Sequence, residues 1–278
     1  EEPTVLGVEL GPLVSSFSTD RTPPAIRTHL PALNDLVLGM YPGEVTILGG
    51  RPGQGKSSFA LDVFLANACH SLTYFFSLEM SKQVVLDRLL CNLADVSVHT
   101  MRQGALNDEA KHKLTQSMGT LARYKGWIDD SSSLSLRMLR TKLTAAVSRG
   151  AKLAIIDYFQ IMTEPKTANV ASDACFLSGG VRGIAKDLGV PVLLLSQLNR
   201  EVERRSWGSN DEAPRPRASD LYGGGIEQAA DNVWLVYRPS PQSTRAEILV
   251  VKNRNGPVGD IPCEWCPTFT SFRAPSGF

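Results

Sequence analysis

Gly50-Arg51-Pro52-Gly53-Gln54-Gly55-Lys56-Ser57 constrains this chain more than any other stretch: Gly, four residues, Gly, Lys and Ser, directly after an apolar β-rich run and directly before a helical one. Glycines let backbone N–H groups curl around phosphate oxygens, and the helix that follows adds the positive end of its dipole. Lys56 reaches terminal phosphates, Ser57 is the residue type that ligates Mg²⁺, and Ser58 completes the set. With Gly at 23 of 278 positions, such a match arises by chance in roughly one chain in a hundred. The pattern predicts nucleotide binding by residues 50–58. The bland alternative is a glycine-rich turn without ligand.

The surroundings suit that reading. Short apolar runs at 44–48, 72–77, 153–157, 190–196, 233–237 and 246–251 read as strands covered on both faces. Helix patterns at 57–68, 81–94, 108–124, 135–149 and 175–188 lie between them, several opened by Ser or Asp in capping positions. The fold class expected is α/β, a phosphate-loop core whose mostly parallel central sheet is flanked by helices. Residues 1–29, with Pro3, Pro12, Pro23, Pro24 and the serines at 15, 16 and 18, read as a linker with one short helix near Pro12. Residues 30–278 form the single domain, and no internal repeat is visible.

Composition excludes other classes. A net charge of +1, with 21% charged and 42% hydrophobic residues, is that of a globular chain and not of a disordered one. No apolar run approaches the ~18–20 residues of a membrane span, and no secretory signal follows Glu1 and Glu2. The start without Met leaves room for a preceding domain. Five cysteines make an odd set for disulfides, and Cys69, Cys91 and Cys175 read as buried free thiols, so a reducing, cytoplasmic location is expected. Cys263 and Cys266 have metal-ligand spacing but no partners to complete a site of four ligands.

Three further carboxyl-edge residues and two cations carry candidate chemistry. Asp157 ends an apolar strand, where it suits Mg²⁺ binding or caps a turn. Glu79, just past the strand at 72–77, could polarise an attacking water, or be an acidic residue favoured by the dipole of the next helix. Gln197 closes the strand at 190–196, as a γ-phosphate contact or as solvated loop. Lys252 and Arg254 are two apart at the end of the strand at 246–251, so in extended geometry both point to one face. An anion between them, such as a neighbouring subunit's phosphate, is one explanation; a solvated edge that blocks strand pairing is the other.

Five ordered blocks make the chain resemble the C-terminal motor domain of DnaB-type replicative DNA helicases over roughly residue 30 to the end. They are the phosphate loop, Ser77-Leu78-Glu79-Met80, Ile155-Ile156-Asp157-Tyr158, Leu195-Ser196-Gln197-Leu198-Asn199-Arg200 and Lys252-Asn253-Arg254-Asn255-Gly256-Pro257. Gly225-Ile226-Glu227-Gln228 followed by Ala230-Asp231 is also similar. The resemblance implies a RecA-like fold, a homohexameric ring, ATP and Mg²⁺ bound between subunits, and 5′ to 3′ translocation on single-stranded DNA. It makes Glu79 the catalytic base, Gln197 the γ-phosphate sensor, and Lys252 and Arg254 trans-acting groups, with Arg254 the arginine finger. Primase and a helicase loader are the implied partners, in the cytoplasm of a bacterial or phage-infected cell or in an organellar matrix. The family's collar domain has no counterpart in the sequence.

Departures from the family pattern bear on DNA. Tyr222-Gly223-Gly224-Gly225 stands where many relatives carry Arg and Glu. A glycine run could hold a phosphate through its N–H groups, and Tyr222 could stack on a base. Arg200 opens the stretch before it, where five basic residues are balanced by five acidic ones, so it is not a basic patch. Two other readings stay open: a RecA- or RadA-like recombination ATPase, and a nucleotide-controlled ring scaffold without processive unwinding.

Overall fold

Continuously apolar strands must be covered on both faces, and in the computed structural model they form one nine-stranded sheet. The structure describes residues 26–163, 169–199 and 212–275. The strands are β1 (Val45–Gly50), β2 (Leu72–Ser77), β3 (Gly126–Asp129), β4 (Ala151–Asp157), β5 (Val192–Gln197), β6 (Asn232–Tyr237), β7 (Arg245–Asn253), β8 (Gly259–Cys266) and β9 (Ser271–Arg273). Their order is β3-β2-β4-β5-β1-β6-β7-β8-β9. Pairings from β3 across to β6 are parallel, and β6 to β9 continue antiparallel.

The helices are α1 (Pro31–Val37), α2 (Lys56–Ala68), α3 (Lys82–Ala94), α4 (Val98–Arg102), α5 (Asp108–Leu121), α6 (Leu136–Ser148) and α7 (Val170–Leu188). Strand alternation divides the core. Leu153 and Ile155 join Phe59 and Phe64 of α2 on one face, while Ala154 and Ile156 join Leu139 of α6 and Val181 of α7 on the other. Each such fully buried side chain contributes about 1.5–3 kcal/mol. Helix α2 is buried nearly all round, so the element behind the phosphate loop is anchored in the core.

The expected strands are all present, and the mostly parallel sheet flanked by helices is the observed architecture. Helix α7 starts earlier than expected, at Val170, because the Asn169 side chain caps it by accepting from Ala171 and Ser172 N–H. β3, β8 and β9 were not legible: β3 is a four-residue edge strand between Gly126 and Asp129, and β8 carries Pro262. Of the expected linker at 1–29, residues 1–25, with the short helix near Pro12, lie outside the described residues. Ile26 pairs with Met40. Among the described residues no helix is long and apolar enough to cross a membrane.

The cysteine expectations need one correction. Cys91 and Cys263 are buried and Cys69 and Cys266 partly so, but Cys175 is exposed on α7 beside the glycine turn. Burial pushes the Cys263 thiol up to about 12, so it stays protonated. Among the described residues no three His, Cys, Asp or Glu side chains gather as a metal site.

Asp129 ties the β3 edge to its neighbours by accepting from Tyr74 Oη, Lys142 Nζ and the Ser131 N–H and hydroxyl. Burial alone would raise its carboxyl pKa, but Lys142, Ser131 and Tyr74 hold it down at about 2. A depressed carboxylate contributes stability above its unfolded pKa and loses it as pH falls through the folded one. Asp129→Asn is therefore expected to lower Tm at pH 7 by roughly 2–4 °C, for about 1 kcal/mol after solvent screening. In thermal melts at stepped pH, the gap from wild type should close between about pH 4 and 2; a gap constant with pH contradicts this role.

Candidate active site

Four neighbouring parallel strands bring their carboxyl ends to one edge. Ser77 stands beside Asp157 and Gly50 beside Gln197 in register. That edge is where such a sheet leaves room for ligand, and a cleft of about 340 Å³ opens there, lined by Lys56, Ser57, Glu79, Asp157 and Gln197 among others.

The phosphate loop turns through Gly53 (φ +73°) and Gly55 (φ +102°). A Cβ on Gly55 would stand 2.8 Å from the Phe272 ring, so glycine is required there by conformation and by space. Because α2 begins at Lys56, the free N–H groups of its first turn open at the cleft. Lys56 is 8% exposed, and its Nζ donates to the carbonyls of Gly50 (2.8 Å) and Arg51 (3.0 Å). Burial draws this amine down to about 8 against the pull of Asp157 and Glu79. Pro52 and Gly53 line the cleft, Gln54 and Ser58 are buried, and Arg51 donates to the Pro214 carbonyl.

Asp157 is 1% exposed, and among the described residues neither of its carboxylate oxygens has a hydrogen-bond partner. Burial pushes the carboxyl up to about 6; the Ser57 hydroxyl, close by without completing a hydrogen bond, opposes this, Glu79 adds to it, and Lys56 and Arg88 oppose it. A buried carboxylate without donors is costly unless a cation answers it. With the Ser57 hydroxyl adjacent, this all-oxygen set has the chemistry that suits Mg²⁺.

Glu79 is exposed at the cleft, just past β2. Gln197 lines the cleft from β5, and its N–H donates to Gln160 Oε1 (3.4 Å). Arg88 and Trp265 are among the lining residues that sequence reasoning missed. Arg88 on α3 faces Asp157 and Glu79; a charge on the stripe of Val85 and Leu89 was the available signal. Trp265 forms the far wall, with the Arg238 guanidinium 4.9 Å from its ring centre and Arg238 Nη1 donating to Gly53 O (3.3 Å). It falls between Cys263 and Cys266, whose spacing drew attention to metal instead.

Lys252 and Arg254 lie elsewhere. β7 runs antiparallel to β6, so they sit at the amino edge of the parallel strands, beyond the start of β1. Lys252 Nζ donates to the carbonyls of Glu227 (2.7 Å) and Ala230 (2.8 Å), and Arg254 Nε pairs with Asp231 (3.2 Å). The anion expected between these cations has a local counterpart in Asp231.

The turn Tyr222 to Gly225 joins the end of β5. Tyr222 N–H donates to the Gln197 carbonyl (3.1 Å) and its side chain is 36% exposed. Gly223, Gly224 and Gly225 all have positive φ, and a Cβ on Gly223 would stand 2.5 Å from that of Ala174. Gly224 N–H donates to Leu221 O (3.2 Å). Arg200 lies outside the described residues.

The fold and cleft define a RecA-like, phosphate-loop nucleotide-binding domain. Within that class, the chain belongs to the family of the DnaB-like helicase C terminal domain, whose model matches residues 25–274. It is 34% identical to the replicative DNA helicase DnaB of Rickettsia felis, across 89% of this chain and 56% of that protein. It is 32% identical to that of Geobacillus stearothermophilus, with the same two shares. The chain thus spans about half the length of the curated relatives it matches. Two solved structures share the fold at 24% identity. One is an ATPase domain, with TM-score 0.88 over 99% of this chain and 100% of that one. The other is a DnaB-like replicative helicase described with its interactions with primase, with TM-score 0.85 over 99% of this chain and 68% of that one.

Proposed function

We propose that this chain is the motor of a replicative DNA helicase, a homohexameric ring that hydrolyses ATP at subunit interfaces and moves 5′ to 3′ along single-stranded DNA. Residues 30–278 are the motor domain in this reading, and the preceding segment serves assembly. Primase and a helicase loader are its partners, and the cytoplasm its location. The observation that carries the reading is the division of charge between two edges: Lys56, Glu79, Asp157 and Gln197 at one, Lys252 and Arg254 at the other. β1 alone, six residues or about 20 Å, separates them, farther than an arginine side chain reaches. Cations so placed act on phosphate only across an interface between subunits.

Backbone N–H groups of residues 50–58 and Lys56 hold the ATP phosphates, and Trp265 offers a stacking wall for the base. Ser57 and Asp157 would hold Mg²⁺, which supplies charge neutralisation at the β- and γ-phosphates. Glu79 takes a proton from water as its oxygen attacks the γ-phosphorus, and ADP leaves in line. Lys252 and Arg254 of the adjacent subunit meet the charge that develops. Gln197 senses the γ-phosphate, and the Tyr222 N–H on its carbonyl passes that state to the turn at 222–225, which meets DNA together with Arg200.

The test is ATP hydrolysis with and without single-stranded DNA, on protein whose oligomeric mass is measured in the same buffer. Stimulation in a hexameric fraction, falling steeply with salt, is expected, followed by unwinding of a forked duplex. Stimulation without fork unwinding favours the recombination ATPase. Hydrolysis by a ring indifferent to DNA favours the scaffold.

A further inference from the structure

Arg254, which would serve the neighbouring subunit, is itself held by one carboxylate. Asp231 is 4% exposed and uses both oxygens: Oδ2 accepts from Val45 N–H (3.0 Å), and Oδ1 is shared by Arg182 Nη2 (2.9 Å) and Arg254 Nε (3.2 Å). The Asp231 backbone is engaged too, its carbonyl accepting from Arg254 N–H (2.9 Å) and its N–H donating to Val45 O (2.8 Å). A buried carboxylate that accepts from Val45 N–H and Arg182 Nη2, with the Arg254 guanidinium in ion-pair contact, is a rigid anchor.

Two features go beyond structural need. Arg182, itself tied to Ala229 O (2.9 Å), already neutralises Asp231, so a second arginine on the same oxygen is surplus to folding. The contact with Arg254 is made by Nε, at the base of the guanidinium fork, on a side chain 48% exposed. That geometry leaves the terminal Nη pair, the part that grips phosphate bidentately, for an outside anion. Val45, on the other carboxylate oxygen, is the first residue of β1, whose far end carries the phosphate loop.

We infer that Asp231 is the positioning residue of the Arg254 finger, fixing the base of the guanidinium in register with β1 so that its terminal nitrogens present to the adjacent subunit's γ-phosphate. The inference rests on the reading of Arg254 as a trans-acting finger. A finger set before the phosphate arrives needs no reorganisation at the moment of reaction, and misplacing such a group by about 1 Å costs about 10²-fold in rate.

Asp231→Asn and Asp231→Glu in the 278-residue chain test it, by steady-state hydrolysis and by binding of a non-hydrolysable ATP analogue. Expected is a kcat lower by about 10- to 100-fold with Kd for the analogue within about twofold of wild type. In an Arg254→Lys background, whose residual turnover supplies the signal, adding Asp231→Asn should lower kcat by less than about twofold, because the guanidinium that Asp231 positions is already gone. Wild-type kcat, equal losses in both backgrounds, or weakened analogue binding with kcat unchanged would each overturn the inference. If Asp231→Asn does not fold, Asp231→Glu carries the same test, since it keeps the charge and moves it by one methylene. Full turnover in Arg254→Ala, with Asp231 intact, would instead remove the finger reading itself.

Discussion

Arg254→Ala should leave ATP binding close to wild type and lower kcat by about 10³-fold or more, the range over which an arginine finger acts. The split follows from location. Arg254 is at the amino edge of the sheet and makes no part of its own chain's cleft, so its loss removes nothing that holds the ground-state nucleotide there. On the proposed reading what is lost is a charge that the neighbouring subunit's transition state meets, and such a loss appears in kcat and not in affinity. Folding should survive, because Arg182 still pairs with Asp231. Rings mixed from variant and wild-type subunits should lose activity more than in proportion to the variant fraction. Strictly proportional loss, or an unchanged kcat, would place Arg254 outside the neighbour's site.

Lys56→Ala should weaken nucleotide binding by about 10- to 100-fold and bring hydrolysis down by a further factor of about 10² or more. Lys56 is buried at the first position of α2, its amine already poised over the loop by the Gly50 and Arg51 carbonyls, so the charge lost is desolvated and preorganised. Equilibrium binding of a fluorescent ATP analogue, beside steady-state turnover, separates the two effects. Alanine is the strongest helix former, and circular dichroism should show an intact fold. Retained wild-type turnover would sink the phosphate-loop assignment. Opposite signatures are thus expected from two cations of one chain: Lys56 on binding and rate in its own subunit, Arg254 on rate alone in the next.

Much of this was readable from residue order. Covered parallel strands announce themselves as unbroken apolar runs, and every one of the six expected strands is present. What escaped was short or lay at the sheet's margins. β3 offers four residues bounded by Gly126 and Asp129, and β8 alternates around Pro262, so neither leaves a run long enough to read. Cys175 was misjudged because helical periodicity does not say which face of α7 turns outward near its start. Arg88 and Trp265 were missed because each comes from an element whose approach to the cleft depends on packing, α3 folding over the sheet edge and β8 to β9 returning beside the phosphate loop.

By itself the sequence determined the phosphate loop, the strands that carry Asp157 and Gln197, and the resemblance to DnaB-type motors, because each rests on local spacing that backbone geometry imposes within a few residues. Only the tertiary structure decided that Lys252 and Arg254 occupy the edge opposite the one that carries Asp157, Glu79 and Gln197. Strand direction and sheet order separate Lys252 and Arg254 from the cleft, and the same order brings Asp231, Arg182 and Val45 together from distant parts of the chain. Long-range pairing is set by how apolar faces pack, and no local pattern of residues encodes it.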